Sequence, residues 1–329
     1  MLFFTIRRLI SSVLVLLSSS IAVFLLASST ADPTAPFRQR QPLPPPAFFK
    51  AFKHRLGLDK PLYLRYWDWI TGVLHGNFGK DIAGNAITPT LMERLGVTSR
   101  MVLGAMILAL VMAIIVGVLT AVRQYKFSDY FFTVLCYMLI ALPVFWLGAL
   151  LKQFVAIEIN NLVGHNVLFT LGEESAGISQ FGTTSQIWVD RLEHLVLPTI
   201  SLAALTFAGW SRFQRAAMLD VLGSDFIRLA RAKGVPWRRV IFRHGVRNAL
   251  IPLTTVVAIG VGGILGGAVL TERVFVWHGM GEYLLQNGLG AQDVNVILGW
   301  LIVAAFFIVT FNLIADLLYA VLDPRIRLH

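Results

Sequence analysis

Few residues in this sequence stand in a pattern that could perform chemistry on their own. The seven histidines, His54, His75, His165, His194, His244, His278 and His329, are scattered along the chain. None belongs to an H-E-x-x-H pair that would hold zinc beside a general base. No G-x-S-x-G elbow presents an activated serine, and no G-x-x-x-x-G-K-[ST] loop cradles nucleotide phosphates. The one cysteine, Cys136, lies inside an apolar run, which excludes an intrachain disulfide and a cysteine-built zinc site. Acidic residues are dispersed rather than gathered at one face, as a multispan membrane enzyme would need. No catalytic residue and no metal site is therefore expected. The chain is expected not to be an enzyme and to hold no cofactor itself.

The distinctive chemistry is instead one of charge. Residues 211–248 carry nine basic side chains, from Arg212 to Arg247, against two acidic ones. Two short helical patterns lie within, separated by Gly234-Val235-Pro236. The first runs from Asp225 to Lys233. Ser224 suits its N-cap, Asp225 complements the positive helix N-terminus, and Gly234 suits the position after its end. Phe226, Leu229 and Ala230 share one face; Arg228 and Arg231 share another. The second pattern places Trp237, Val240, Ile241 and His244 together, with Arg239, Arg243 and Arg247 as a basic ridge. A nine-residue amphipathic helix is marginal in water by itself. Held on a tight turn, it reads as a docking element, for a groove on a partner protein or, less well, for a bilayer surface.

The elements that must position this loop are membrane spans. Hydrophobic residues make up 56% of the 329 and charged ones 14%, against about 45–50% and roughly 25% in soluble domains. The excess lies in blocks long enough to cross a hydrocarbon core of about 30 Å. A soluble enzyme and a disordered chain are both excluded. The expected organisation is an all-α polytopic membrane protein: a first transmembrane helix within 1–31, an extracytoplasmic region over 32–98, and a five-helix core over 99–322. The core spans fall at about 99–122, 130–154, 195–210, 249–271 and 296–322, with a tail at 323–329. The apolar run Leu9–Ala27 exceeds the h-region of a signal peptide, so the first helix is read as retained.

The net charge of +10 reflects topology rather than nucleic-acid binding. With the N-terminus inside, the inner segments 1–8, 123–129, 211–248 and 323–329 hold fifteen Lys and Arg. The two short outer loops hold only Lys152, Arg191 and Arg273. The long first outer loop crosses regardless of its charge. Both termini are thus expected in the cytoplasm of a multi-pass protein of the cell membrane.

Within the spans, Ala105, Ala109, Ala113, Gly117 and Ala121 recur at every fourth position, spacing that lets two helix backbones approach closely. Pro143 and Pro198 can mark kinks. Pro33, Pro36, Pro42 and Pro44–Pro46 favour an extended start to the first outer loop. The aromatics that follow, Phe48, Phe49, Phe52, Trp67 and Trp69, suit either a small core or an interfacial belt.

At this point a family resemblance emerges. Arg-Leu-Ala-Arg-Ala-Lys-Gly (228–234), followed by Asn248-Ala-Leu-Ile-Pro252, resembles the EAA loop of the permeases of ABC importers. Leu-Gly-Leu-Asp-Lys-Pro (56–61), Gly76-Asn-Phe-Gly79, Glu93-Arg94, Ala-Met-Leu-Asp-Val-Leu (217–222), Trp277-His-Gly-Met-Gly281 and Leu322-Asp-Pro-Arg325 resemble its dipeptide/oligopeptide/nickel branch. The likeness covers nearly the whole chain. Two departures stand out: His278 replaces the usual proline, and the EAA glutamate is missing from the region of Arg228.

The resemblance implies the type I importer permease fold of six transmembrane helices with a cytoplasmic coupling helix. It also implies ATP and Mg on two ATP-binding partner subunits or domains, a homologous second permease, and an extracytoplasmic substrate-binding protein. The coupling set would be Ser224, Asp225, Phe226, Arg228, Leu229, Ala230, Arg231 and Gly234. Trp277, His278 and Met280 would face the binding protein, and Thr254 and Thr255 would line the pathway. Back-bonding of either threonine within its own helix is the competing role. Nickel, glutathione or another solute stand beside peptides as cargo. A channel or secondary transporter is the rival class, but the halves show no repeat and the spans few charges.

Overall fold

The computed structural model describes residues 2–39 and 41–322; the tail 323–329 and the Asp-Pro-Arg of the last motif lie outside them. Among the described residues the protein is all-α, with no strand and one isolated bridge, Lys80 to Ala86. The principal helices are α1 (Leu2–Thr30), α2 (Pro46–Arg55), α3 (Leu62–Leu74), α4 (Ile87–Val122), α5 (Phe127–Ala141), α6 (Val144–Leu150), α7 (Thr184–Leu222), α8 (Asp225–Ala232), α9 (Arg247–Phe275) and α10 (Val294–Leu322). Five helical stretches are long and apolar enough to cross a membrane, and a bent pair makes a sixth if counted as one span. The chain is a multi-pass membrane protein.

Two spans depart from the simple reading. Over 130–154 a single straight helix does not form. Helix α5 stops at Ala141, and the chain turns by 108° before continuing through Val144–Val163. The cause is local. Pro143 has no N–H to donate to the preceding turn and forces its neighbour out of the α region, and Leu142 is extended at φ −92°, ψ 132°. Beyond α6 the helix widens into a π segment, Leu151–Ala156. The apolar block 195–210, conversely, is only the middle of α7. That helix begins at a capping box, in which the Thr183 hydroxyl accepts from the Gln186 N–H and the Gln186 side chain accepts from the Thr183 N–H. It passes Pro198 without ending.

The described structure divides into two compact units. One is built on Ser99–Trp277. Its centre is the packing of α7 against α9, with α5 and α6 also against α7. The small residues of α4 are buried: Ala105, Ala109, Ala113 and Ala121 all lie below 4% exposure. Gly117 shows why the stripe must be small. A Cβ there would meet the Gln214 side chain at 2.7 Å and the Ser211 carbonyl at 2.9 Å.

The other unit is built on Ile6–Thr98 with His278–Val309. Phe24 of α1 meets Tyr66 edge-on at 5.4 Å and Trp69 at 5.6 Å. The Ser20 and Tyr66 hydroxyls are 2.9 Å apart. Phe37, Phe48 and Phe52 form a second ring cluster. Tyr63 and Trp67 point outward. The loop aromatics thus divide, some into a small core and some onto the surface. Asp293 starts α10: its carboxylate accepts from the N–H groups of Asn295 and Val296 and, at 2.6 Å, from that of Ile82. Burial pushes its pKa above the ordinary aspartate range.

Candidate functional site

Helix α8 and its mounting form the most individual surface of the first unit. Ser224 occupies the N-cap with extended backbone, φ −75° and ψ 154°. Its hydroxyl does not cap the helix but donates back to the Val221 carbonyl. Asp225 lies in the first turn, where a negative charge suits the helix dipole. The end is closed by a Schellman arrangement. The Val235 N–H donates to Ala230 at 3.2 Å, and the Gly234 N–H to Arg231 at 2.9 Å. This needs a left-handed residue at 234, and Gly234 has φ 74°, a conformation that costs glycine little.

The apolar arc of α8 is divided between two environments. Ile227, 1% exposed, turns into the protein, with Ala230 half-buried beside it. Phe226 and Leu229 turn away, 45% and 57% exposed. Arg228 pairs with Asp225 at 3.5 Å with both side chains open to solvent, an ion pair of small worth. The Arg231 guanidinium sits 5.1 Å from the Trp237 ring centre. Lone amphipathic helices of this length do not hold their shape, and here the order comes from Ile227, the two turn bonds and the neighbouring segment 240–246.

That segment is helical, as the second pattern predicts, but not regular. Trp237–Arg239 opens a helix, Val240–Val246 is a π turn, and α9 continues from Arg247. The expected second pattern therefore changes period within itself. Val240 and Ile241 are buried, while Trp237 is exposed and His244 half-buried. Arg239, Arg243 and Arg247 are exposed. Ile241 joins Ala121, Met218 and Ala249 in a core beneath the loop.

The remaining candidates fall elsewhere. The Thr254 hydroxyl donates to the Ile251 carbonyl at 2.8 Å, the back-bonding alternative. Thr255 is exposed. It begins an open stripe along α9 that continues through Ile259, Gly263, Gly266 and Leu270; no atom lies within 4 Å of a Cβ built at Gly263 or Gly266. Of the outer-loop trio, Trp277 and Met280 are buried at 1% and 4%, and only His278 reaches solvent. The Trp277 and Met280 side chains are thus covered within the chain itself, and His278 is the member of the trio open to a partner.

Several polar pairs carried no signal in the sequence beyond the residue types. Arg215 grips Asp129 with two hydrogen bonds of 2.8 and 2.9 Å. Asp190 accepts from the Ser175 N–H at 2.7 Å and from its hydroxyl. Glu174 receives Ser179 and Arg191, and these partners, the Ser179 hydroxyl foremost, hold its carboxyl below the ordinary glutamate range. Arg94, quoted above only as part of a motif, pairs with Glu282 at 3.0 Å. Apart from Ser179 and Glu174, five positions apart, these partners lie 15 to 188 positions apart, beyond the reach of local pattern.

Comparison with known proteins agrees with the architecture. Residues 113–328 match the family described as binding-protein-dependent transport system inner membrane component. Residues 1–96 match the N-terminal region described for the same membrane components. The chain is 39% identical over 321 residues to the oligopeptide transport system permease protein OppB of Mycobacterium tuberculosis (strain ATCC 25618 / H37Rv), covering 98% of both chains. It is 35% identical over 327 residues to the oligopeptide permease AppB of Bacillus subtilis (strain 168), covering 98% of this chain and 99% of that one. It is 36% identical over 284 residues to the dipeptide permease DppB of Escherichia coli (strain K12), covering 83% of each. Matched through both halves and over nearly its full length, the chain belongs to the family of binding-protein-dependent transport system inner membrane components.

Proposed function

We propose that this chain is the permease subunit of an ATP-driven peptide importer. The observation that carries the reading is similarity, over 98% of the chain, to permeases named for oligopeptide transport, with a dipeptide permease beside them. Those names favour peptides over nickel or glutathione as cargo. As a permease the chain performs no hydrolysis. Two ATP-binding subunits bind ATP and Mg, an extracytoplasmic binding protein delivers the peptide, and a homologous second permease completes the pathway. Both termini lie in the cytoplasm, as the charge asymmetry of the loops favours.

In this reading α8 is the coupling helix. Phe226 and Leu229 enter a groove of an ATP-binding subunit, while Arg228 and Arg231 set the charge match. Ser224 and Gly234 fix the two ends of the helix. Closure of the ATP-binding subunits then moves the spans as bodies between inward-open and outward-open states. The open stripe of Thr255, Gly263 and Gly266 supports a role for that face of α9 along the pathway or against the second permease. Thr254, bonded to its own helix, is the weaker lining candidate. His278 is the position of the outer loop best placed to meet the binding protein.

The test is copurification from a mild-detergent extract, followed by an ATPase assay. A second permease and ATP-binding subunits should come with the tagged chain, and binding protein plus peptide should raise hydrolysis. Stimulation by a metal or another solute but not by peptide would refute the cargo. A chain that purifies alone and transports without ATP would refute the coupling.

A further inference from the structure

Between α5 and α7 lies a cavity of about 550 Å3, lined by Tyr125, Asp129, Tyr130, Tyr137, Arg212 and Arg215 among others. Its charges are unequal in status. Asp129 is fully engaged: Arg215 holds both its oxygens at 2.8 and 2.9 Å, and the Tyr125 N–H and the Thr133 hydroxyl take the remaining positions at 3.0 and 3.4 Å. That pair cancels. Arg212, by contrast, makes no ion pair among the described residues. It is exposed, with its guanidinium 4.3 Å from the centre of the Tyr137 ring. The cavity therefore has one uncompensated cation, flanked by phenol rings that carry hydroxyl donors.

A second groove, of about 340 Å3, adjoins it and is lined only by Phe127, Tyr130, Phe131, Val134, Leu135 and Met138. Tyr130 belongs to both. Phe127 and Phe131 stack at 6.2 Å and are exposed. The juxtaposition is amphipathic: a fixed positive charge with hydroxyls at one end, and an aromatic-lined apolar channel at the other. Arginine with its planar fork is well suited to a phosphate, and tyrosines such as Tyr130, which cavity and groove share, sit at headgroup level.

We propose that this site holds an anionic phospholipid, its phosphodiester on Arg212 and the tyrosine hydroxyls and an acyl chain along the Phe127–Met138 groove. A phospholipid satisfies both halves at once. A free phosphate leaves the apolar groove empty, and a second protein chain has no need of an unpaired arginine beside it. The placement in the cytoplasmic leaflet rests on the topology proposed above; the chemistry of the site does not.

The test uses the full chain, with whatever subunits purify with it, stripped of lipid in mild detergent. Native mass spectrometry then follows titration with dioleoyl phosphatidylglycerol or dioleoyl phosphatidylcholine. Phosphatidylglycerol should be retained in preference. Arg212→Gln should weaken its retention about fivefold, the effect of one basic residue at an anionic surface. Arg212→Lys should restore most of it, which a folding defect would not allow. Tyr137→Leu should also weaken it, and Lys126→Gln, a nearby exposed cation outside the cavity, should not. Equal retention of both lipids, or equal losses from Arg212→Gln and Lys126→Gln, would overturn the site in favour of diffuse attraction. Displacement of the lipid by millimolar inorganic phosphate would make it a free-anion site. Loss of the second permease from Arg212→Gln with lipid retention unchanged would make it a protein interface.

Discussion

The divided arc of α8 predicts that two adjacent apolar residues fail in different assays when truncated. Ile227→Ala removes a side chain that is 1% exposed. Large-to-small changes at such sites cost about 2–4 kcal/mol, and the cost falls on the isolated chain, as a lower unfolding temperature and faster amide exchange across 225–234. Phe226→Ala removes a ring that is 45% exposed, so the isolated chain loses little. The ring's open part is roughly 90 Å2 of an aromatic surface near 200 Å2. Burying it against a partner contributes about 2 kcal/mol at ~25 cal/mol per Å2, or roughly thirtyfold in the dissociation constant. The assay is titration of each variant, in detergent, with its ATP-binding subunits, alongside thermal unfolding of the variant alone. Phe226→Ala should weaken assembly by that factor at unchanged unfolding temperature. If instead it destabilises the chain, or if assembly is unaffected, the assignment of the outward edge to a partner is wrong. Phe226→Asp should go further and abolish transport while membrane insertion persists.

Three other outcomes follow from the packing and the charges. Gly117→Leu places side-chain atoms where the Gln214 side chain and the Ser211 carbonyl already stand at 2.7 and 2.9 Å from a Cβ. It should cost about 1–3 kcal/mol, seen as lower thermal stability in detergent, while Gly263→Ala on the open stripe of α9 should leave that stability unchanged. Asp129→Asn leaves Arg215 without its bidentate partner and should cost about 3 kcal/mol, measured by the same unfolding; no loss would mean the pair is solvated in the membrane. Glu174 titrates below its ordinary value of 4.5 because Ser179 and Arg191 favour the carboxylate. Its contribution is therefore present above that value and lost as pH falls through the lower folded one. Protection from amide exchange over 172–182, after correction for the intrinsic pH dependence of exchange, should fall on acidification, and Glu174→Gln should remove that fall.

The features legible in the sequence are those carried by hydropathy and by short-range backbone chemistry. A run of apolar residues announces a span at any register, and Pro143 and Gly234 act on their immediate neighbours. The extent of α7 was not legible, because Asp190, His194, Arg212 and Arg215 interrupt the hydropathy without interrupting the helix. Nor was the split between Phe226 and Ile227: they lie about 100° apart around the helix, both are large and apolar, and only the segment 240–246 packed against α8 decides which of them is covered. The π turn at Val240–Val246 has no compositional mark, so a basic ridge read at four-residue steps crosses a stretch of different pitch. The burial of Met280 was not legible either, because it is set by residues distant in sequence, Phe78, Ile87 and Leu91 among them.

The continuity of helix on either side of α8 has a mechanical meaning. Thr184–Leu222 and Trp237–Phe275 each run for 39 residues, about 58 Å at ~1.5 Å per residue. They lie packed together and are joined at one end by the short hairpin that carries α8. A force applied at that knuckle enters two stiff beams at their tips. A tilt of about 5° at one end of such a beam sweeps its far end through roughly 5 Å. The π turn Val240–Val246 lies in the second of them, next to the hairpin, and there the backbone ladder changes register. Each beam is longer than the hydrocarbon it crosses is thick, so a movement imposed at the hairpin carries to the opposite face of the membrane.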